Sequence, residues 1–209
     1  MNTSRYTIYI KRLLDILLCV ILFLLLLPFT LVAVIISAVV NRGQIWFVQE
    51  RIGQHNRPFK LYKFKTLTEV EGRFLKHEKV KDVMLNKTFY ITVWGKFLRK
   101  SGLDELPQFL NIVKNELTFV GPRPLLPEYQ IYYSENELKR HHVKPGITGL
   151  AQVNGGNALN WDERLNQDVF YVENISFSLD CKILLKTLTG FNSQDKIFPT
   201  NSLINDRIN

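Results

Sequence analysis

A chain of 209 residues and 24.4 kDa has room for one compact domain with an appendage and excludes two large domains. Its 27 Lys and Arg against 19 Asp and Glu give a net charge of +8, and 46% hydrophobic with 12% aromatic residues exclude a disordered chain. Cys19 and Cys181 are too few for a disulfide framework and suit a reducing compartment.

The first element is an uncharged run from Ile16 to Val40, which excludes an ordinary soluble globule. As a straight helix it would measure about 37 Å, against roughly 30 Å of bilayer hydrocarbon. It is too long for the apolar core of a cleaved signal peptide. Pro28 falls at its midpoint and has no N–H for the Leu24 carbonyl, so a kink or break is expected there. Arg5, Lys11 and Arg12 precede the run, and Arg42, Arg51 and Arg57 follow it. The positive-inside tendency places both flanks at the cytoplasmic face. A helix that dips into the bilayer and returns at Pro28 satisfies that, and a kinked single span is the alternative. Either way the larger part of the chain faces the cytoplasm.

Beyond the run, Ile45 to Gln49 and Pro58 to Phe64 read as a hairpin across Gly53–Asn56. The charge-dense section from Glu69 to Lys87 reads as a mobile or surface helix. Thr92 to Lys100 predicts a short helix stopped by Gly102, and a second helix opens at Asp104 through DELPQFLNIV. Helix is expected from Pro127 to about Arg140, a glycine-rich loop over Pro145–Asn157, and helices over Asn160–Glu173 and Phe177–Thr189. In the last, Phe177, Cys181, Leu184 and Leu188 share one face, which reads as a core stripe in preference to an interfacial one. The fold class is therefore α+β, mainly helical. It divides into a membrane-associated segment (1–41), a small-sheet catalytic domain (42–190) and a loose tail (191–209).

The local feature with most chemical promise is Ser101-Gly102-Leu103-Asp104-Glu105-Leu106-Pro107-Gln108. Asp104 suits a helix N-cap and Glu105 a first turn, so a purely structural role is available. A helix start is also an anion site, and an ionised aspartate can attack phosphorus once charge repulsion is neutralised. Arg99 and Arg123 are near enough in sequence to neutralise it. Arg123 is held by Gly121-Pro122-Arg123-Pro124, where the following proline favours extended backbone. Lys60, Lys63 and Lys65 interleave with Phe59, Leu61, Tyr62 and Phe64 without a clean alternation, so their faces stay unassigned. The Pro145–Asn157 loop matches neither the dinucleotide fingerprint nor the P-loop. His55, His77, His141 and His142 lack zinc-ligand spacing, and the His141-His142 pair reads as a surface feature.

Taken in order, several strings resemble the bacterial sugar transferase family, the small monotopic polyprenol-phosphate phosphoglycosyl transferases. They are Lys11–Asp15, Phe47–Gly53, Phe59–Thr66, Leu103–Gln108, Phe119–Leu125, Pro145–Gly149 through Asn154-Gly155, and Asp168–Tyr171. The resemblance implies transfer of a sugar 1-phosphate from a UDP-sugar to polyprenol (undecaprenyl) phosphate, with release of UMP, as the first membrane step of glycan assembly. It implies that Asp104 attacks the sugar-bearing phosphate to form a covalent intermediate, with Glu105 as its catalytic companion. Magnesium is implied as cofactor, lying against Asp104. Arg99 and Arg123 are the implied phosphate-binding positions, Lys63, Lys65 and Lys144 join them as candidate substrate-binding residues, and the break at Pro28 is implied to be re-entrant. The implied location is the cytoplasmic face of the bacterial inner membrane, with the inner leaflet and downstream glycosyltransferases as partners and no nucleic acid.

Three departures stand out. Leu27 precedes Pro28 where family members often carry serine, so Thr30 is the nearest hydroxyl. Lys144 stands where arginine is common, which keeps the charge and loses the fork. With no further membrane helices or linked domain, the chain reads as the minimal form. Two rival readings remain at this point: a membrane-anchored glycosyltransferase or phosphatase acting on lipid-linked sugars, and a non-catalytic basic lipid-binding module.

Overall fold

The computed structural model describes residues 6–69, 79–82 and 87–190. The chain opens with a short π-helical turn, Tyr6–Ile10, that leads into the long helix α1, Lys11–Val40. By length and composition α1 could cross a membrane. Pro28 lies inside it, with helical structure on both sides. The Thr30 hydroxyl donates to the Leu26 carbonyl at 2.8 Å, close to the Leu24 carbonyl that Pro28 cannot serve.

The two ends of α1 are buried and its middle is not. Asp15 and Cys19 are buried near one end, Ala33 and Ser37 near the other, whereas Leu24, Leu25, Phe29 and Leu31 are exposed. At the N-terminal end, Asp15 accepts hydrogen bonds from the Thr118 hydroxyl at 2.6 Å and the Phe119 amide at 3.1 Å. Arg12 donates to the carbonyls of Ile112 and Val113, as a cation at a helix C-terminus should. At the C-terminal end, Trp94 Nε1 donates to Ser37 Oγ at 2.8 Å and Asn41 Nδ2 to the Lys65 carbonyl at 3.0 Å. Each such buried bond contributes about 1 kcal/mol. Both ends of the apolar helix thus dock on the same body.

Among the described residues that body is mostly helical with three small sheets. Strands β1 (Trp46–Ile52) and β2 (Pro58–Phe64) form the expected antiparallel hairpin, with Val48 opposite Tyr62 and β1 ending three residues beyond the expected Gln49. Strands β3 (Leu67–Glu69), β4 (Lys79–Asp82) and β5 (Lys87–Ile91) form a sheet in the order β3-β5-β4. This corrects the helix expected between Glu69 and Lys87: β-branched and aromatic residues such as Val80, Phe89 and Tyr90 pair here in strands. The rest of that section, 70–78 and 83–86, lies outside the described residues, as does the tail expected from 191.

Helix α2 (Val93–Ser101) is capped by the Thr92 hydroxyl and ended by Gly102, as its sequence predicts. The next segment begins as a 3-10 helix, Leu103–Gln108, and only becomes α-helical over α3, Phe109–Val113. Strand β6 (Thr118–Val120) pairs in parallel with β7 (Gly146–Thr148), so part of the expected glycine-rich loop is strand. Another part is the short helix α5 (Leu150–Val153). The helix expected over Pro127–Arg140 is broken into 3-10 turns around α4 (Glu135–Leu138), whose N-cap is a Ser134–Glu137 capping box. Helices α6 (Trp161–Glu173) and α7 (Phe177–Thr189) form where expected.

The main core gathers Phe59, Leu61, Ile112, Leu117, Val120, Tyr171 and Ile183. In α7 the inward face carries Asp180 and Ile183, while Phe177 and Leu188 are exposed. That corrects the core stripe at its ends only, since Cys181 and Leu184 are half-buried and Leu184 packs on the core. Tyr6, Lys11 and Tyr171 all hydrogen-bond to the Asp180 carboxylate, and the polar residue fixes the rotation of the helix. His141 is likewise buried, with Nδ1 2.5 Å from Asn56 Oδ1, which corrects its surface assignment; His142 is exposed.

Candidate active site

The site is built on the junction between α2 and the 3-10 helix that follows. Gly102 adopts φ 71°, a left-handed turn that glycine makes without strain, and it lets the chain reverse direction after Ser101. Gly102 rather than Asp104 holds the cap position of the next segment, and no side chain caps it. This corrects the N-cap role for Asp104. Its carboxylate stays in the first turn, uncommitted to the backbone.

Neighbouring elements bring cations to that carboxylate. In β2, Phe59 and Leu61 face the core, and Lys63 shares their side of the strand because side chains alternate. Lys63 therefore points to the 3-10 segment, where its Nζ lies 2.5 Å from Glu105 Oε1, both side chains about three-quarters or more buried. Helix α2 packs against the chain just after β2 so closely that a Cβ on Gly95 would sit 2.4 Å from the Thr66 carbonyl oxygen. That contact sets Arg99, whose Nε donates to Thr66 Oγ1 at 3.0 Å. Arg123 arrives from the turn after β6 and remains exposed.

The electrostatics give the two acids different characters. Burial pushes the Asp104 carboxyl up to about 6, against the pull of Lys63; Glu105 adds to the rise, and Arg99 and Arg123 oppose it. Burial also acts to raise Glu105, but Lys63, Arg123 and hydrogen bonds from Lys63 and Gln108 outweigh it and hold the carboxyl below its ordinary value. Glu105 is thus an ionised partner of Lys63, while Asp104 is a carboxylate with poor solvation near three cations. Such an ion is a better nucleophile than a fully hydrated one.

Of the residues singled out in the sequence, Asp104, Glu105, Lys63, Arg99 and Arg123 come together here. Two do not. The Lys65 ammonium hydrogen-bonds to Gln44 at the end of α1. Lys144 bonds to Asn115, and its ammonium is pushed down by burial and by Arg12 and Lys11 at the opposite end of that helix. Pro28 is an exposed residue of α1.

Other supporting residues gave no usable signal in the sequence. Buried Asn111 donates to the Lys60 carbonyl at 2.7 Å and accepts from the Tyr62 amide, which locks α3 to β2 and so the acids to Lys63. Arg140 and Asp168 form a fully buried ion pair at 2.7 Å, and Arg140 Nη2 donates to the Arg123 carbonyl at 2.7 Å. The backbone of Arg123 is thereby fixed. Asp168 lies in one of the strings that carried the resemblance, but nothing local to it revealed a partner 28 residues earlier.

Residues 6–193 match the bacterial sugar transferase family. The chain belongs to that family. It is 45% identical over 166 residues to an uncharacterized sugar transferase of Bacillus subtilis, covering 78% of this chain and 77% of that one. It is 36% identical to the UDP-glucose:undecaprenyl-phosphate glucose-1-phosphate transferase of Klebsiella pneumoniae, across 85% of this chain but only 39% of that longer protein. An exopolysaccharide production protein of Sinorhizobium fredii is 34% identical, with 85% and 83% coverage. This sugar transferase family member therefore matches two relatives over most of their length and spans well under half of the third.

Proposed function

We propose that the chain moves a sugar 1-phosphate from a UDP-sugar to polyprenol phosphate and releases UMP, through an acyl phosphate on Asp104. The observation that carries this is the Asp104 carboxylate itself: unused by the helix start, poorly solvated, and within the influence of Lys63, Arg99 and Arg123. The undecaprenyl-phosphate chemistry named for the Klebsiella relative supplies the substrate class.

In the first half-reaction an Asp104 oxygen bonds to the sugar-bearing phosphorus, and the bond from that phosphorus to the bridging oxygen breaks. The electron pair leaves on UMP, so no proton need move. In the second, an oxygen of the acceptor phosphate attacks the same phosphorus and Asp104 departs as a carboxylate. Arg99 and Arg123 lower the repulsion between nucleophile and phosphate. Glu105, kept ionised, orients Lys63 toward the phosphate; its lowered affinity for protons makes it a weak general base.

A magnesium ion fits this donor set. Mg2+ is commonly held by one or two carboxylates plus substrate phosphates and water, and Asp104 with Glu105 offers that minimum. Asp104 would be the protein ligand, and the bound ion would neutralise phosphate charge.

The docking of both ends of α1 on one body supports a re-entrant helix, because a straight span would carry its ends to opposite faces of the bilayer. Such a helix would set the site at the inner, cytoplasmic leaflet, where the acceptor's phosphate resides and its tail stays in lipid. Replacement Asp104→Asn tests the reaction: UMP release from a UDP-sugar with polyprenol phosphate and magnesium should fall by about 10³-fold or more. Normal turnover by that variant refutes the assignment.

A further inference from the structure

Arg123 belongs to a second group of charges besides the acids. Arg51, near the end of β1, donates from Nη1 to the Pro124 carbonyl at 3.3 Å and from Nη2 to Gln49 Oε1 at 2.6 Å. Arg164, in the second turn of α6, donates from Nη2 to the Gly156 carbonyl at 3.1 Å and stacks 4.5 Å above the Trp161 ring. The Trp161 ring packs in turn on Tyr129, 5.4 Å between centroids, so Arg164 rests on a rigid aromatic base. Both guanidinium groups are held by neutral partners. Among the described residues neither pairs with a carboxylate, since the nearby Asp168 is taken by Arg140 at 3.1 and 2.7 Å. The Nε of each is buried without a hydrogen-bond partner.

The three arginines repel one another, an effect that Glu128 near Arg51 and Asp168 near Arg164 offset only in part. Burial lowers the proton affinity of Arg51, to about 10, and that of Arg164, and Arg123 adds to both effects. Two buried donors and three like charges are costly unless an anion completes the group. A phosphate supplies several acceptor oxygens for the planar fork of arginine.

We propose that Arg51, Arg123 and Arg164 form a second phosphate site, adjoining the reaction centre through Arg123, that takes the phosphate leaving with the nucleoside. This rests on the reaction proposed above. When Asp104 attacks the sugar-bearing phosphorus, the bridging oxygen departs with its electron pair on the nucleoside-side phosphate. Charge therefore grows there as the bond breaks, and pre-set arginines at that place stabilise the leaving group. Arg123 touches both halves of the event, because its charge also acts on Asp104 and Glu105.

The test is calorimetric titration of the full chain in lipid nanodiscs with UMP, uridine, inorganic phosphate and polyprenol phosphate. Arg164→Gln should weaken UMP by at least about tenfold, and Arg164→Lys by less, because charge survives and the fork does not. Inorganic phosphate should displace UMP from the native chain. Uridine should bind the native chain and the variants alike, and polyprenol phosphate should keep its affinity. Arg51→Lys provides an independent variant that retains charge at the other wall and should also weaken UMP. Unchanged UMP affinity in folded Arg164→Gln and Arg51→Lys would overturn the site, and a loss confined to polyprenol phosphate would reassign it to the acceptor and overturn it too. Because UMP binding is read without turnover, this failure is separate from the failure of the reaction, which only Asp104→Asn can show.

Discussion

At the scale of single residues, the separation of two adjacent acids is the feature with the clearest consequences. Asp104 must be ionised to attack, and burial raises its carboxyl to about 6 in the metal-free chain, so kcat/KM should rise with pH, with the limb moving to lower pH as magnesium is increased. Lys63 is the strongest influence that lowers Asp104, and Lys63→Met should move this limb to higher pH while also reducing the rate. A pH–rate profile in which the limb stays in place would remove Lys63 from the Asp104 environment. Stability should respond in the opposite sense to activity. A carboxyl raised by burial destabilises the folded state once pH exceeds its unfolded value, and the effect is complete above the folded one. Asp104→Asn should therefore raise the melting temperature at pH 7 and lose that advantage below about pH 4, as paired thermal melts can check.

Between elements, the Arg140–Asp168 pair is a fully buried tie. Arg140→Met leaves the Asp168 carboxylate buried without its partner, which typically costs about 3–5 kcal/mol, and it releases the Arg123 carbonyl. Denaturant unfolding should show the loss. What could be read beforehand follows from the range of each interaction. The α2 helix was legible because its cap and stop, Thr92 and Gly102, are local signals. The hairpin was legible from its turn at 53–56. The strands between Leu67 and Ile91 were not, because charged residues such as Lys79, Lys81 and Asp82 masked a pairing decided by tertiary contact. Asp104 was found from its motif, but the cap role offered for it belonged to Gly102. Lys63 became intelligible only when its strand neighbours Phe59 and Leu61 showed which face is buried. Arg51 was legible only as a flanking cation and as part of the Phe47–Gly53 string, and Arg164 not at all, since their common neighbour, Arg123, lies far from both along the chain.

For the whole molecule, the proposed interfacial position makes the exposed apolar residues meaningful. Helices α2 and α3 both meet α1 and expose Val93, Phe97, Leu110 and Val113. Alongside them the basic balance of the chain favours an anionic leaflet. Phe97→Glu together with Leu110→Glu should weaken retention on anionic liposomes while leaving the hairpin core untouched, and flotation assays would report it. With a re-entrant α1, cysteines placed at Tyr9 and Gly43 should react with an impermeant thiol reagent from the same side of a sealed vesicle. Labelling from opposite sides would make α1 a span.

The most direct measurement is mass spectrometry of the native chain quenched after mixing with a UDP-sugar and magnesium in the absence of polyprenol phosphate. A phosphosugar should be found on the peptide that contains Asp104, in step with about one UMP released per chain. Continuous UMP release with no modified peptide, or a phosphosugar on any other residue, would contradict it.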